Sequence, residues 1–138
     1  MKDKWYMSDS ADPFAWVAKA DEDLLVIEAV VGADRVPWDI VCYHAQQTAE
    51  KMLKAYIVSH QRVAAKTHDL LTLLRECQRL GARVDDLTEE CKFLLRYGAL
   101  ARYPGSGFEA AKEQGETAQV YARKVYARML ELLPPRTP

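Results

Sequence analysis

A chain of 138 residues is long enough for one ordinary domain that buries roughly two thirds of its unfolded surface, and too short for two. With 49% hydrophobic and 28% charged residues it lies near the globular average, which excludes a disordered or collagen-like polypeptide. The balance of 19 basic against 20 acidic side chains, net −1, removes any whole-molecule attraction to nucleic acid or to an anionic membrane, so an anion site has to be local.

Cys42, Cys77 and Cys91 are odd in number and lack CxxC spacing, so neither a disulfide framework nor a zinc finger is indicated and a reducing cytoplasm is the expected setting. The first fourteen residues lack the apolar core of a secretory signal. No apolar run approaches the roughly 18 residues of a membrane span. The expectation is a soluble, cytoplasmic protein with no membrane partner, no metal and no cofactor.

In chain order, Asp12 before Pro13 matches a helix N-cap followed by proline at the first helical position. Phe14, Val17, Leu24, Ile27 and Val31 recur at helical intervals up to Gly32, which predicts helix one over 13–31 with Gly32 as its left-handed terminator. Trp38 to His60 contains no proline or glycine, and Val41, Ala45, Thr48, Ala49, Met52 and Tyr56 form its apolar stripe, giving a long helix two. Thr67 can cap a third helix over 68–80, with Leu70, Leu73, Leu74, Cys77 and Leu80 inward, Asp69 at the positive end of the dipole and Gly81 as its stop. Asp85 or Thr88 can open a fourth helix that runs to Tyr103 and ends at Pro104-Gly105-Ser106-Gly107. A fifth, from Phe108 to Leu133, ends at Pro134-Pro135. Nothing alternates as a strand. Short connections make neighbouring helices antiparallel, so the expected architecture is all-α: one domain over 1–138, with an ordered core of about 12–133, built as an up-and-down antiparallel bundle of four main helices plus one short one.

Charge is distributed unevenly. Residues 1–36 carry 4 basic and 8 acidic side chains, 37–90 carry 7 and 8, and 91–138 carry 8 and 4, which hints at an anion-facing surface on the last two helices. On helix two, His44, Gln47, Lys51 and Lys54 share one face, either as a phosphate-binding row or as a solvated stripe opposite the core. On helix four, Arg96 and Tyr103 share a face, while Arg102 shares a line with Cys91, Leu95 and Gly98. A guanidinium in that company either caps carbonyls and pairs with an acid, or serves as an anion ligand. Gly98 in mid-helix suggests close approach of another backbone, either a neighbouring helix or a second subunit. Adjacent His68 and Asp69 point about 100° apart on a helix and read as a first-turn polar pair. No Ser-His-Asp order, HExxH, P-loop or GxGxxG is present.

The segments YHAQQTAEKMLKAYIVSHQ (43–61), THDLLTLL (67–74) and LLRYGALARYPG (94–105) resemble the HEPN domain family, the nucleotide-binding helical domains of higher eukaryotes and prokaryotes. The resemblance extends over most of the chain. It implies an up-and-down bundle that forms homodimers and is often encoded beside a minimal nucleotidyltransferase as a toxin–antitoxin pair. Many relatives are metal-independent ribonucleases whose active residues are an arginine, four to six spacers and a histidine near the last long helices. Neither Arg96 nor Arg102 is followed by such a histidine, and the chain resembles instead the branch carrying RYP at the end of helix four. Arg62 and His68 satisfy the letter pattern at a different place, with Val63 where a polar residue usually stands. The resemblance therefore implies a non-catalytic module that binds a nucleotide or RNA phosphate, or a nucleotidyltransferase partner, through His44, Gln47, Lys51, Arg96, Arg102 and Tyr103, in a cleft between helices two and four. The alternative is a ribonuclease that uses Arg62 and His68 at a dimer cleft.

Overall fold

The computed structural model describes residues 10–98, 103–105 and 109–136. Arg102 lies outside that set, so its reading as an anion ligand or a cap stays an expectation. The described residues form helices α1 (Pro13–Val31), α2 (Trp38–Ser59), α3 (Leu70–Arg79), α4 (Thr88–Leu95) and α5 (Lys112–Leu132), with one 3₁₀ turn (Asp85–Leu87) and no strand.

The helix starts follow local chemistry. Asp12 accepts from the N–H of Phe14 ahead of Pro13, satisfying one of the donors that every helix start leaves open. At α3 the cap is Asp69, not Thr67: its carboxylate accepts from Leu71 N and Thr72 N, while the Thr67 hydroxyl accepts from Asp69 N one step upstream. A carboxylate is the stronger partner for the positive end of the helix, so the start moves from 68 to Leu70. Gly81 adopts φ +110 and stops α3 as expected. Gly32 does not act in the same way, since its φ of −85 is right-handed. Helix four is much shorter than its sequence pattern, ending at Leu95 with a turn over 96–98.

α2 is the central element, packed against α1, α3, α4 and α5. Val41, Ala45, Ala49, Met52, Leu53 and Ile57 are buried within a core completed by Ile27, Leu70, Leu73, Leu87, Leu94, Val125 and Met129. Contacts fix the directions. Trp16 lies near Lys54 and Asp23 near His44 and Lys51, so α1 is antiparallel to α2. Asp86, Glu90 and Phe93 meet Arg128, Lys124 and Tyr121 in reverse order, so α4 is antiparallel to α5. α3 departs from strict alternation: His68 meets Glu50, and the Cys77 thiol reaches Leu53 O, so α3 runs in the same sense as α2. The connection 60–69 doubles back along α2, which a two- or three-residue turn has no reach to do. Buried Ala64 pins its middle.

Among the described residues, no neighbouring helix approaches Gly98 closely: a Cβ there would meet nothing within 4 Å. The close approach falls at Gly115, and it is made by a side chain: a Cβ there would run into Cε3 of Trp38. The start of α5 thus lies flat on the indole that opens α2, and Ala110 N donates to Asp39 Oδ1 at 2.6 Å beside it. At the other end of α1, the Arg136 guanidinium stands 4.5 Å over the Phe14 ring.

Candidate functional site

Two groups of polar side chains stand out, one along α2 and one on α4. The α2 row begins at Asp23, a carboxylate that α1 lays against α2 with only 8% of its side chain exposed. Its two oxygens lie 2.7 Å from His44 Nδ1 and 2.6 Å from Lys51 Nζ. One turn on, Glu50 is 6% exposed and takes Lys54 Nζ at 3.1 Å, Gln46 Nε2 at 3.3 Å and Gln47 Nε2 at 3.4 Å. His68 completes the group from the α2–α3 connection, its Nδ1 lying 3.0 and 3.1 Å from the two oxygens of Glu50.

This row is neither a solvated stripe nor a free phosphate ladder. Each ammonium group faces a carboxylate of the same chain, and Lys54 is 8% exposed. A buried charge without its counter-ion is costly, so these pairs are structural before they are anything else. Two positive lysines balance two carboxylates, and the row presents no surplus cation. His44, Gln47 and Lys51 are brought together, as their spacing required, but around Asp23 and Glu50, two acids that sequence spacing did not single out. Glu50 was accessible from the sequence, since Gln46, Glu50 and Lys54 repeat every four residues. Asp23 was not, because nothing in α1 marks which of its acids turns inward.

Directly after α4, Arg96 lies with its guanidinium 5.1 Å over the Phe93 ring and 6.0 Å from that of Tyr97. It borders an open groove of about 380 Å³ lined also by Glu89, Lys92 and Tyr121. Phe93 meets Tyr121 edge to face at 5.3 Å. Lys92 is paired loosely with Glu89 at 3.6 Å, whereas no carboxylate of the described residues pairs with Arg96. Tyr103 is exposed. Among the described residues, no hydrogen bond, ion pair or ring contact joins Arg96 or Tyr103 to the α2 row. Arg96 therefore gathers with Phe93 and Tyr121 between α4 and α5, apart from the α2 row.

The basic excess of the last third is largely spent on packing. Arg123 pairs with Glu28, Lys124 with Glu90 and Arg128 with Asp86, so α5 is strapped to α1 and to the α4 segment. The doubly hydrogen-bonded guanidinium of Arg128 holds the Asp86 carboxyl below its usual range. Tyr126 donates to Asp21 at 2.6 Å, and burial together with that hydrogen bond pushes its hydroxyl up to about 12. All three cysteines are buried; burial pushes the thiols of Cys42 and Cys91 up to about 12, helped by Asp39 and Glu90 respectively. They are unsuited to thiolate chemistry. Among the described residues, no group of three or more His, Cys, Asp or Glu side chains is placed to hold a metal. No described helix is long and apolar enough to cross a membrane.

Comparison with known proteins agrees with this bundle. The crystal structure of TT1696 from Thermus thermophilus superposes with a TM-score of 0.78 at 27% identity, over 88% of this chain and 98% of that one. No protein of curated function matches the sequence. The sequence model of the HEPN domain matches residues 15–132, from the first turn of α1 to the last of α5, and the chain belongs to the HEPN domain family.

Proposed function

We propose that this HEPN domain is a binding module without catalytic activity of its own, which takes a nucleotide or an RNA strand by its phosphate and base in the groove between α4 and α5. The observation that carries the reading is Arg96. Its guanidinium is unpaired among the described residues, spread over Phe93 and Tyr97, and set at the rim of an open groove with Tyr121. A cation beside aromatic rings at an open groove is what single-stranded nucleic acid needs: charge for the phosphate, a π surface for the base. Tyr103, exposed a few residues on, and Arg102 extend the same set along the sequence. The neutralised α2 row supports the non-catalytic part, since its lysines are committed to Asp23 and Glu50. The family resemblance supplies the company of such a module: a second copy of the chain in a homodimer, and a minimal nucleotidyltransferase in a toxin–antitoxin-like pair.

The test is fluorescence anisotropy with a labelled oligoribonucleotide and with nucleotide competitors, in EDTA. Arg96→Ala is expected to weaken binding about tenfold, on the scale of one lost stacking or charge contact, with helicity unchanged by circular dichroism. Unchanged affinity in that variant, or no saturable binding by the parent, removes the reading. RNA cleavage in EDTA that disappears in His68→Ala replaces it with the metal-independent ribonuclease at a dimer cleft.

A further inference from the structure

We infer that the cavity at the corner where α1 begins, α2 ends and the chain leaves α5 binds a zwitterion, an amino acid or short peptide with an apolar side chain, whose carboxylate meets Arg136 and whose ammonium group meets Asp12. The cavity is open and holds about 620 Å³, within the roughly 300–1,000 Å³ of small-molecule sites. Three segments far apart in the chain wall it: Asp12 and Phe14, Val58 and Gln61, and Pro135 and Arg136. Phe14, Val58 and Pro135 offer apolar surface to a side chain. Asp12 and Arg136 are its two charged residues, one of each sign.

These two charges share the cavity without neutralising each other. Among the described residues, no carboxylate pairs with Arg136, whose guanidinium stands 4.5 Å over the Phe14 ring. Stacking occupies the face of a guanidinium and leaves the donors along its edge, where a carboxylate binds through two parallel hydrogen bonds. Asp12 gives one oxygen, Oδ1, to Phe14 N at 2.9 Å, and nothing among the described residues hydrogen-bonds the other. A lone guanidinium would suit a phosphate, but a carboxylate lining the same space repels one. A molecule with one charge of each sign meets both. Gln61 adds a neutral acceptor. Its φ of +59 ends α2 in a left-handed turn, a conformation glycine adopts freely, so a side chain is kept at the cavity wall at a cost in backbone strain. Gln61 Nε2 donates to Ser59 O at 3.3 Å, which leaves the amide oxygen to accept from a ligand.

Isothermal titration calorimetry of the full chain tests the site with L-phenylalanine and the dipeptide Phe-Phe, which carry both charges, and with phenethylamine and 3-phenylpropionate, which carry one each. Saturable binding of at least one zwitterion is expected, about tenfold or more tighter than either singly charged probe. The zwitterion that binds more tightly names the source as a free amino acid or a peptide. Asp12→Asn keeps a good helix cap while removing the charge, and Arg136→Gln lies beyond the last helix. Each is expected to weaken zwitterion binding about tenfold, with helicity unchanged by circular dichroism. No saturable binding of either zwitterion, or zwitterion affinity unchanged in either variant, overturns the site. Binding that Asp12→Asn strengthens marks a plain anion site and overturns the zwitterion reading. Neither variant touches Arg96, so these outcomes leave the α4–α5 groove where it stands.

Discussion

α2 is gripped from two sides by opposite means. Toward α1 and the α2–α3 connection the contact is ionic: Asp23 with His44 and Lys51, Glu50 with Lys54 and His68. Toward α5 it is apolar and close, with Gly115 against the Trp38 ring and Ala118, Ala122, Val125 and Met129 fully buried. Shape complementarity fixes distance, because the interior is packed too tightly to slide. Paired buried charges fix register, because any other alignment strands an ion away from its partner. One helix thus carries both kinds of information, and the cations most suggestive of a ligand in the sequence are the ones that hold the bundle in alignment.

The largest test of this contrast is Glu50→Ala. Removing the carboxylate leaves the Lys54 ammonium buried beneath Trp16 with no counter-ion, and the expected loss is about 3–5 kcal/mol in urea unfolding; a loss below about 1 kcal/mol, the range of an exposed pair, would show that the row is effectively solvated. On the apolar side, Gly115→Ala drives a methyl into the Trp38 ring. Overpacking costs about 1–3 kcal/mol, offset only in part by the roughly 1 kcal/mol that alanine gains over glycine inside a helix. A lowered Tm with altered tryptophan fluorescence is expected, and a raised Tm would mean that the indole is free to move aside.

The smallest effect belongs to the rim pair of Arg128 and Asp86. Asp86 titrates below its unfolded value in the folded chain, so its contribution is fully present above the ordinary aspartate range and fades as pH falls through the lowered value. Arg128→Gln is expected to remove that dependence, and the Tm difference between parent and variant should shrink on acidification. A difference that stays constant with pH would assign the effect of Arg128 to packing rather than charge.

How much of this was legible depended on how far apart in the chain the partners lie. Helix one, the body of helix two and the leucine stripe of helix three came from local periodicity, and Asp12 and Gly81 act where their chemistry suggested. What escaped the sequence was every arrangement that joins distant segments. The fate of Lys51 turns on Asp23, 28 residues away, and that of the basic α5 turns on Glu28 and Asp86. The charge asymmetry along the chain was real, but most of it was internal complementarity. Gly98 drew notice for its mid-helix position, whereas Gly115 does the close packing; only the position of Trp38, far earlier in the chain, tells the two apart. The placement of His68 on Glu50 required the α2–α3 connection to reverse, which no spacing rule encodes.

The stacking of Arg136 on Phe14 brings the opening of α1 to the point where the chain leaves α5. Splicing these two places with a short flexible linker and cutting the polypeptide elsewhere should preserve every interhelical contact, which makes the domain suited to circular permutation. Phe14 and Arg136 share one corner of the bundle, so a single tether attached at these two residues can report on, or restrain, the start of α1 and the exit of α5 together.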